Sequence, residues 1–132
     1  MSNTFLYDMK GKKKIMQLSK HFSKKEFDCQ CGCGTGTINA ILVQKLELVR
    51  QEYGKPMRIN SGIRCLEHNR SIGSKDTSSH IKCVAADVGC TDMTARHELL
   101  QILLKYFKRT GVHKQFIHVD VDSDKPSGVF VY

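Results

Sequence analysis

The chain has 132 residues, enough for one compact domain and too few for two of ordinary size. Hydrophobic residues at 40% and charged residues at 26% exclude a disordered chain, and apolar runs interrupted by charge exclude a membrane-spanning helix. A net charge of +8 suits contact with a polyanion, either nucleic acid or a cell-wall polymer, but the lack of Trp argues against a base-stacking platform.

Residues 1–18 read as a flexible basic leader carrying Lys10, Lys12, Lys13 and Lys14. Only Ile15, Met16 and Leu18 follow these lysines before Ser19, whereas a signal peptide needs an apolar stretch of about 7–15 residues. The chain is therefore expected to be made in a cytoplasm without a signal peptide, and to reach any external target by another route. Residues 19–132 form the expected single domain.

Within 19–27, Ser19 or Ser23 is a candidate helix cap, and Glu26 stands three residues after Ser23 as in a capping box. The Gly/Cys/Thr-rich stretch after Asp28 reads as an irregular loop. A helix is expected from Thr37, with Ile38, Ile41, Leu42, Leu46, Val49 and Tyr53 at spacings of three and four, stopped by Gly54 and Pro56. Residues 57–61 alternate as a strand, 66–72 form a short helix, and 73–79 form a polar loop. Residues 84–88 read as an interior strand containing one carboxylate, Asp87. A second helix runs from Thr91 or Thr94 to about Lys108, with Leu99, Leu100, Leu103, Leu104 and Phe107 on one face, and Gly111 ends that region. Residues 116–121 alternate as a strand, and 128–132 are its expected hairpin partner. This order implies an α+β fold with a small, mainly antiparallel sheet packed against helices.

His80 ends a polar loop, while Asp87 and His118 lie in otherwise apolar strands. A carboxylate in an apolar strand is costly unless paired, hydrogen-bonded or on a metal. Two histidines and a carboxylate are a recurrent catalytic zinc set, with a further position left for water. Any one of the three, taken alone, is more often a satisfied structural residue.

Residues 78–87 (SSHIKCVAAD) resemble the S-x-H-x-x-G-x-A-x-D signature of the zinc D-alanyl-D-alanine carboxypeptidases and phage L-alanyl-D-glutamate endopeptidases. Residues 116–120 (FIHVD) resemble that family's second metal-binding strand, and SGIRC with His68 and Asn69 resembles its S-G-[YF]-R-C-x-x-H-N segment. The resemblance covers roughly residues 18–122. It implies the hedgehog/DD-peptidase fold, zinc (Zn2+) on His80, Asp87 and His118, and substrate binding by Arg64 and Ser78. Arg64 would also stabilise charge developing on the scissile carbonyl oxygen.

The chain departs from the family pattern at two positions. Cys83 replaces a glycine, a change expected to be tolerated because a thiol is small, although the sulfur could instead stand beside the metal. Gln115 stands where many relatives carry the carboxylate that accepts a proton, leaving Asp120 and His113 as candidate general bases. Asp120 reads equally as a partner orienting a ligand, and His113 as a loop histidine. His21 and His97 read as surface residues.

The cysteines at 29, 31 and 33 lack the spacing of common zinc fingers, since alternate strand residues point the same way. Together with Cys65 they leave three readings open: reduced packing residues, a disulfide formed after release, or a structural metal. The expectation for function is a monomeric zinc peptidase acting on peptidoglycan stem peptides, endolysin-like, as a carboxypeptidase or an endopeptidase. It would meet the cell wall after release or as part of a phage particle. The alternatives are a catalytically weak or inactive zinc-binding module of the same fold, and a small nucleic-acid-binding protein with a cysteine-held metal.

Overall fold

The structure is a computed structural model in which residues 16–132 are described. Most of the basic leader expected over 1–18 lies outside the described residues. Met16 and Leu18 are buried in the hydrophobic core, so packed structure extends back at least to Met16.

The elements are α1 (Lys24–Phe27), α2 (Ala40–Tyr53), β1 (Ile59–Ser61), α3 (Leu66–Ser71), β2 (Ala85–Gly89), α4 (Met93–Tyr106), β3 (Arg109–Val112), β4 (Phe116–Asp120) and β5 (Gly128–Val131). The fold is α+β, as expected. Its five strands run in the order β1-β2-β4-β3-β5, antiparallel except for the β3–β5 pair. Among the described residues no helix is long and apolar enough to cross a membrane.

At α1 the Glu26 carboxylate accepts the Ser23 backbone N–H at 2.7 Å, the return half of the capping box. Helix α2 starts three residues later than its apolar spacing predicts. Asn39 caps it by accepting the Leu42 N–H at 3.0 Å, and Gly54 closes it in the left-handed conformation. Likewise, Asp92 caps α4 in place of either threonine, accepting the Ala95 N–H at 2.8 Å. Ile41 and Leu104 are exposed, contrary to the periodic reading, while Val43 and Ile102 are buried. Helices this well covered choose their inward faces by where the sheet and the neighbouring helix lie, and an i, i+3 stripe fixes that direction only to within a residue.

Two expectations about the C-terminal part are corrected. Residues 109–112 form β3, which inserts between β4 and β5, so β5 pairs in parallel with β3 and is not the hairpin partner of β4. Gly111 lies inside that strand because the Phe130 ring covers it; an added Cβ would stand 2.3 Å from the ring.

Alternation divides the sheet into two faces. Ala86, Val88, Ile117 and Val119 join Leu42, Val43, Leu46, Val49, Leu99 and Leu103 of the two long helices in one hydrophobic core. The opposite face carries Asp87, His118, Gly111 and Phe130. These are register partners in turn across β2, β4, β3 and β5, with Ser61 of β1 opposite Asp87.

Candidate metal centre

Cross-strand register sets Asp87 directly opposite His118, and the loop after α3 returns His80 to the same point. His118 Nδ1 lies 3.0 Å and His80 Nε2 3.2 Å from Asp87 Oδ1, and all three side chains are buried. One ligand atom from each falls within 4.8 Å of the others, so the three residues can hold a metal ion together.

Each histidine is fixed from behind. His80 Nδ1 is 2.7 Å from the Gly62 carbonyl oxygen, which can only accept, so that nitrogen carries the proton. His118 Nε2 is 2.7 Å from Asp120 Oδ2 and donates to it. The inward nitrogens then present lone pairs to a carboxylate oxygen, an arrangement that repels itself unless positive charge lies among the three atoms. A divalent cation supplies that charge, and orienting partners of this kind are what histidine ligands carry behind them. The residues present therefore fit zinc.

Protons are the competing source of charge. Burial acts to lower the pKa of His118, but its hydrogen bonds to Asp120 and Asp87 outweigh burial and raise it. Burial would raise that of Asp87, yet the hydrogen bonds and charges of His118 and His80 hold it well below the usual carboxylate range.

Arg64 lies against the same cluster. Its Nη2 donates to Asp87 Oδ2 at 3.2 Å, Nη1 to Asn69 Oδ1 at 3.3 Å, and Nε to Ser61 Oγ at 3.0 Å. Three contacts fix the guanidinium plane and leave one N–H on each terminal nitrogen for the adjoining cleft. Asn69 is wholly buried and also donates to the Lys75 carbonyl at 2.9 Å, tying Arg64 to the polar loop before His80. Ser78 lines the cleft, and its hydroxyl accepts the His80 backbone N–H at 3.3 Å, which shapes that loop.

The cleft holds roughly 680 Å³ and is bordered by His80, Asp87 and His118. Its cations are Arg64, Lys75, Arg109 and Lys125, and Phe116, Phe130 and Tyr132 form an aromatic wall. Asp87 is the sole carboxylate among the lining residues.

Neither candidate general base faces this cleft. Asp120 stands behind His118, with Oδ2 also accepting from Arg109 Nε at 3.1 Å and its side chain fully buried. That is the place of a carboxylate that orients a ligand. His113 lies beyond the aromatic wall, stacked on Phe116 at 4.4 Å and edge-on to Tyr132 at 5.3 Å. Gln115 lies in the bend before β4 and borders a different depression, with Gln30, Arg58 and Asn60.

Cys83 occupies a left-handed backbone position (φ 62°), which accounts for the glycine that the family pattern carries there. Its sulfur turns toward the Ile81 carbonyl and Gly36, away from the histidines. His21 is not a free surface residue: its Nδ1 lies 2.6 Å from Glu47 Oε2. Sequence reasoning does not find Arg109, Phe130 and Tyr132, because their place in the cleft follows from the pairing of β3 with β5, and a glycine at 111 reads as a terminator.

A sequence model described as Peptidase M15 matches residues 20–120. No curated protein matches the chain.

Proposed function

Because the chain belongs to the Peptidase M15 family, a family of zinc-dependent metallopeptidases, we propose that it hydrolyses the stem peptides of peptidoglycan with zinc held by His80, Asp87 and His118. The observation that carries this reading is the convergence of three metal-ligand atoms, two of them with fixed tautomers, at a cleft whose remaining charged lining is cationic. Stem peptides carry free carboxylates on D-glutamate and at their C-termini, so four cations along the cleft match such a substrate better than a neutral peptide.

Bound zinc supplies a Lewis acid and lowers the pKa of water. The protein's own groups do the rest. Asp120 and the Gly62 carbonyl orient the two histidines, and Arg64 offers its free N–H groups to the carbonyl oxygen as charge develops there. A guanidinium held on three sides needs little reorganisation for that task. The aromatic wall excludes water from one flank of the peptide. Acting on a cell wall after release from the cytoplasm suits a chain with net charge +8.

The test is mass spectrometry of fragments released from purified murein by the wild type and by His118→Ala. The wild type is expected to release peptide fragments whose new termini identify the bond, and the variant none. Equal digestion by both proteins would sink the proposal. A second reading, a zinc module of the same fold with weak or no catalysis, is favoured by one observation: no carboxylate besides Asp87 lines the cleft. Undigested murein with zinc fully bound to the wild type supports that reading.

A further inference from the structure

Four cysteines converge on the far side of the Arg64 segment. After α1 the chain turns back on itself, with Gly32 N–H donating to the Cys29 carbonyl at 3.0 Å. Gly32 and Gly34 adopt φ of 83° and 70°, although an added Cβ at either would meet nothing within 4 Å. Backbone path alone therefore calls for glycine at both positions. These two residues break the alternation assumed from the C-x-C-x-C spacing, so the three sulfurs wrap inward where a strand would set them side by side. Cys65, the residue capping α3, completes the group.

Cys29 Sγ lies 3.4 Å from Cys31 Sγ, which lies 3.7 Å from Cys65 Sγ, and the four sulfurs are all within 4.8 Å of one another. A tetrahedral zinc tetrathiolate with bonds of about 2.3 Å has sulfur–sulfur edges of about 3.8 Å. Apolar packing does not explain the cluster, because Cys31 and Cys33 are exposed. Backbone N–H groups point at three of the sulfurs: Cys65 N–H at Cys29 (3.4 Å), His68 N–H at Cys65 (3.3 Å) and Thr35 N–H at Cys33 (3.5 Å). Such donors stabilise thiolates, the form that binds metal. Four soft sulfurs in this arrangement select zinc over harder cations.

We propose that Cys29, Cys31, Cys33 and Cys65 hold a second, structural zinc ion that fixes the segment bearing Gly62 and Arg64. Cys65 directly follows Arg64 in the chain. On the other side, the Phe27 carbonyl, two residues before Cys29, accepts the Ile63 N–H at 2.7 Å. Gly62 packs so closely there that a Cβ would stand 2.7 Å from the Phe27 carbonyl oxygen. The ion thus anchors the neighbours of both the His80 acceptor and the cleft arginine. Metal binding at four cysteines also couples chain segments 36 residues apart to folding. The site stands independently of the peptidase reading.

The test is metal analysis of the full chain purified under reducing conditions with zinc supplied. The wild type is expected to carry two zinc ions per chain and His118→Ala one. Cobalt-substituted His118→Ala should show an intense thiolate-to-metal charge-transfer band, and adding Cys33→Ser should lower its intensity and weaken cobalt binding, as one of four sulfurs is lost. If Cys33→Ser does not fold, the cobalt spectrum of His118→Ala decides alone. One zinc in the wild type and none in His118→Ala overturns the proposal, as does iron in place of zinc, or disulfides among these cysteines under the same conditions. A single zinc that survives His118→Ala and depends on Cys33 upholds this site while defeating the other.

Discussion

The two faces of the sheet are equally dry and chemically opposite. Ala86, Val88, Ile117 and Val119 are 0% exposed on one side, and Asp87, His118 and Asp120 only 3%, 6% and 3% on the other. The first face is stabilised by removing apolar surface from water. The second is tolerable only because its polar groups are partnered: Arg64 donates to Asp87, and His118 and Arg109 donate to Asp120. A cation or protons must stand between Asp87 and the inward nitrogens of His80 and His118. The same strands thus carry the fold on one side and the chemistry on the other, and substitutions on the two sides should fail in different ways.

The largest expected effect is on the apolar face. Ile117→Ala should lower unfolding free energy by about 2–5 kcal/mol in urea titration, through lost burial and a residual cavity, while zinc stoichiometry is kept. Loss of zinc in the folded variant would break the division between faces. On the polar face, Arg64→Ala should cut kcat on murein by about 10²–10³-fold, the scale of one lost charge-stabilising donor, with a smaller stability change than Ile117→Ala. Asp120→Asn sharpens the contrast further. It should weaken zinc binding by about 10–100-fold in chelator competition, yet restore activity when zinc is saturating. A kcat that stays low with zinc fully bound would instead make Asp120 the proton acceptor.

A further effect, seen only under acid conditions, concerns a buried carboxylate away from the sheet. Glu47 on α2 has its pKa lowered from 4.5 to about 2: burial alone would raise it, but hydrogen bonds from Ser19, His21 and Gln51 outweigh burial. Its stabilisation is complete above the unfolded value near 4.5 and is lost as pH falls toward 2. Between those limits the urea midpoint of the wild type should fall more steeply than that of Glu47→Gln. Parallel slopes would show that Glu47 contributes no pH-dependent stability.

Much of the site was legible because its residues violate their surroundings. Asp87 stands out in an apolar strand, and its spacing from His80 and His118 matches a family pattern. The glycine expected at Cys83 has its reason in the left-handed backbone there, a conformation that no local residue pattern announces. The role of Asp120 was open because strand parity puts it on the face of His118 without saying whether it stands before or behind the ring. Its second partner, Arg109, comes from a strand hidden by the glycine at 111, which reads as a terminator until the Phe130 ring is seen over it.

By itself the sequence determined the α+β class, the two long helices, the strands bearing Asp87 and His118 and the residue types that converge. These follow from periodicity, capping chemistry and the cost of burying charge, all of them local. Only the tertiary structure decided that β3 separates β4 from β5, that Asp120 stands behind His118 and that Gln115 faces away. It also decided that four cysteines thirty-six residues apart at the extremes of one pair share a point in space. Each of these depends on which strands pair and where two glycines turn the chain, and pairing between distant segments is set by the energy of the whole packed domain.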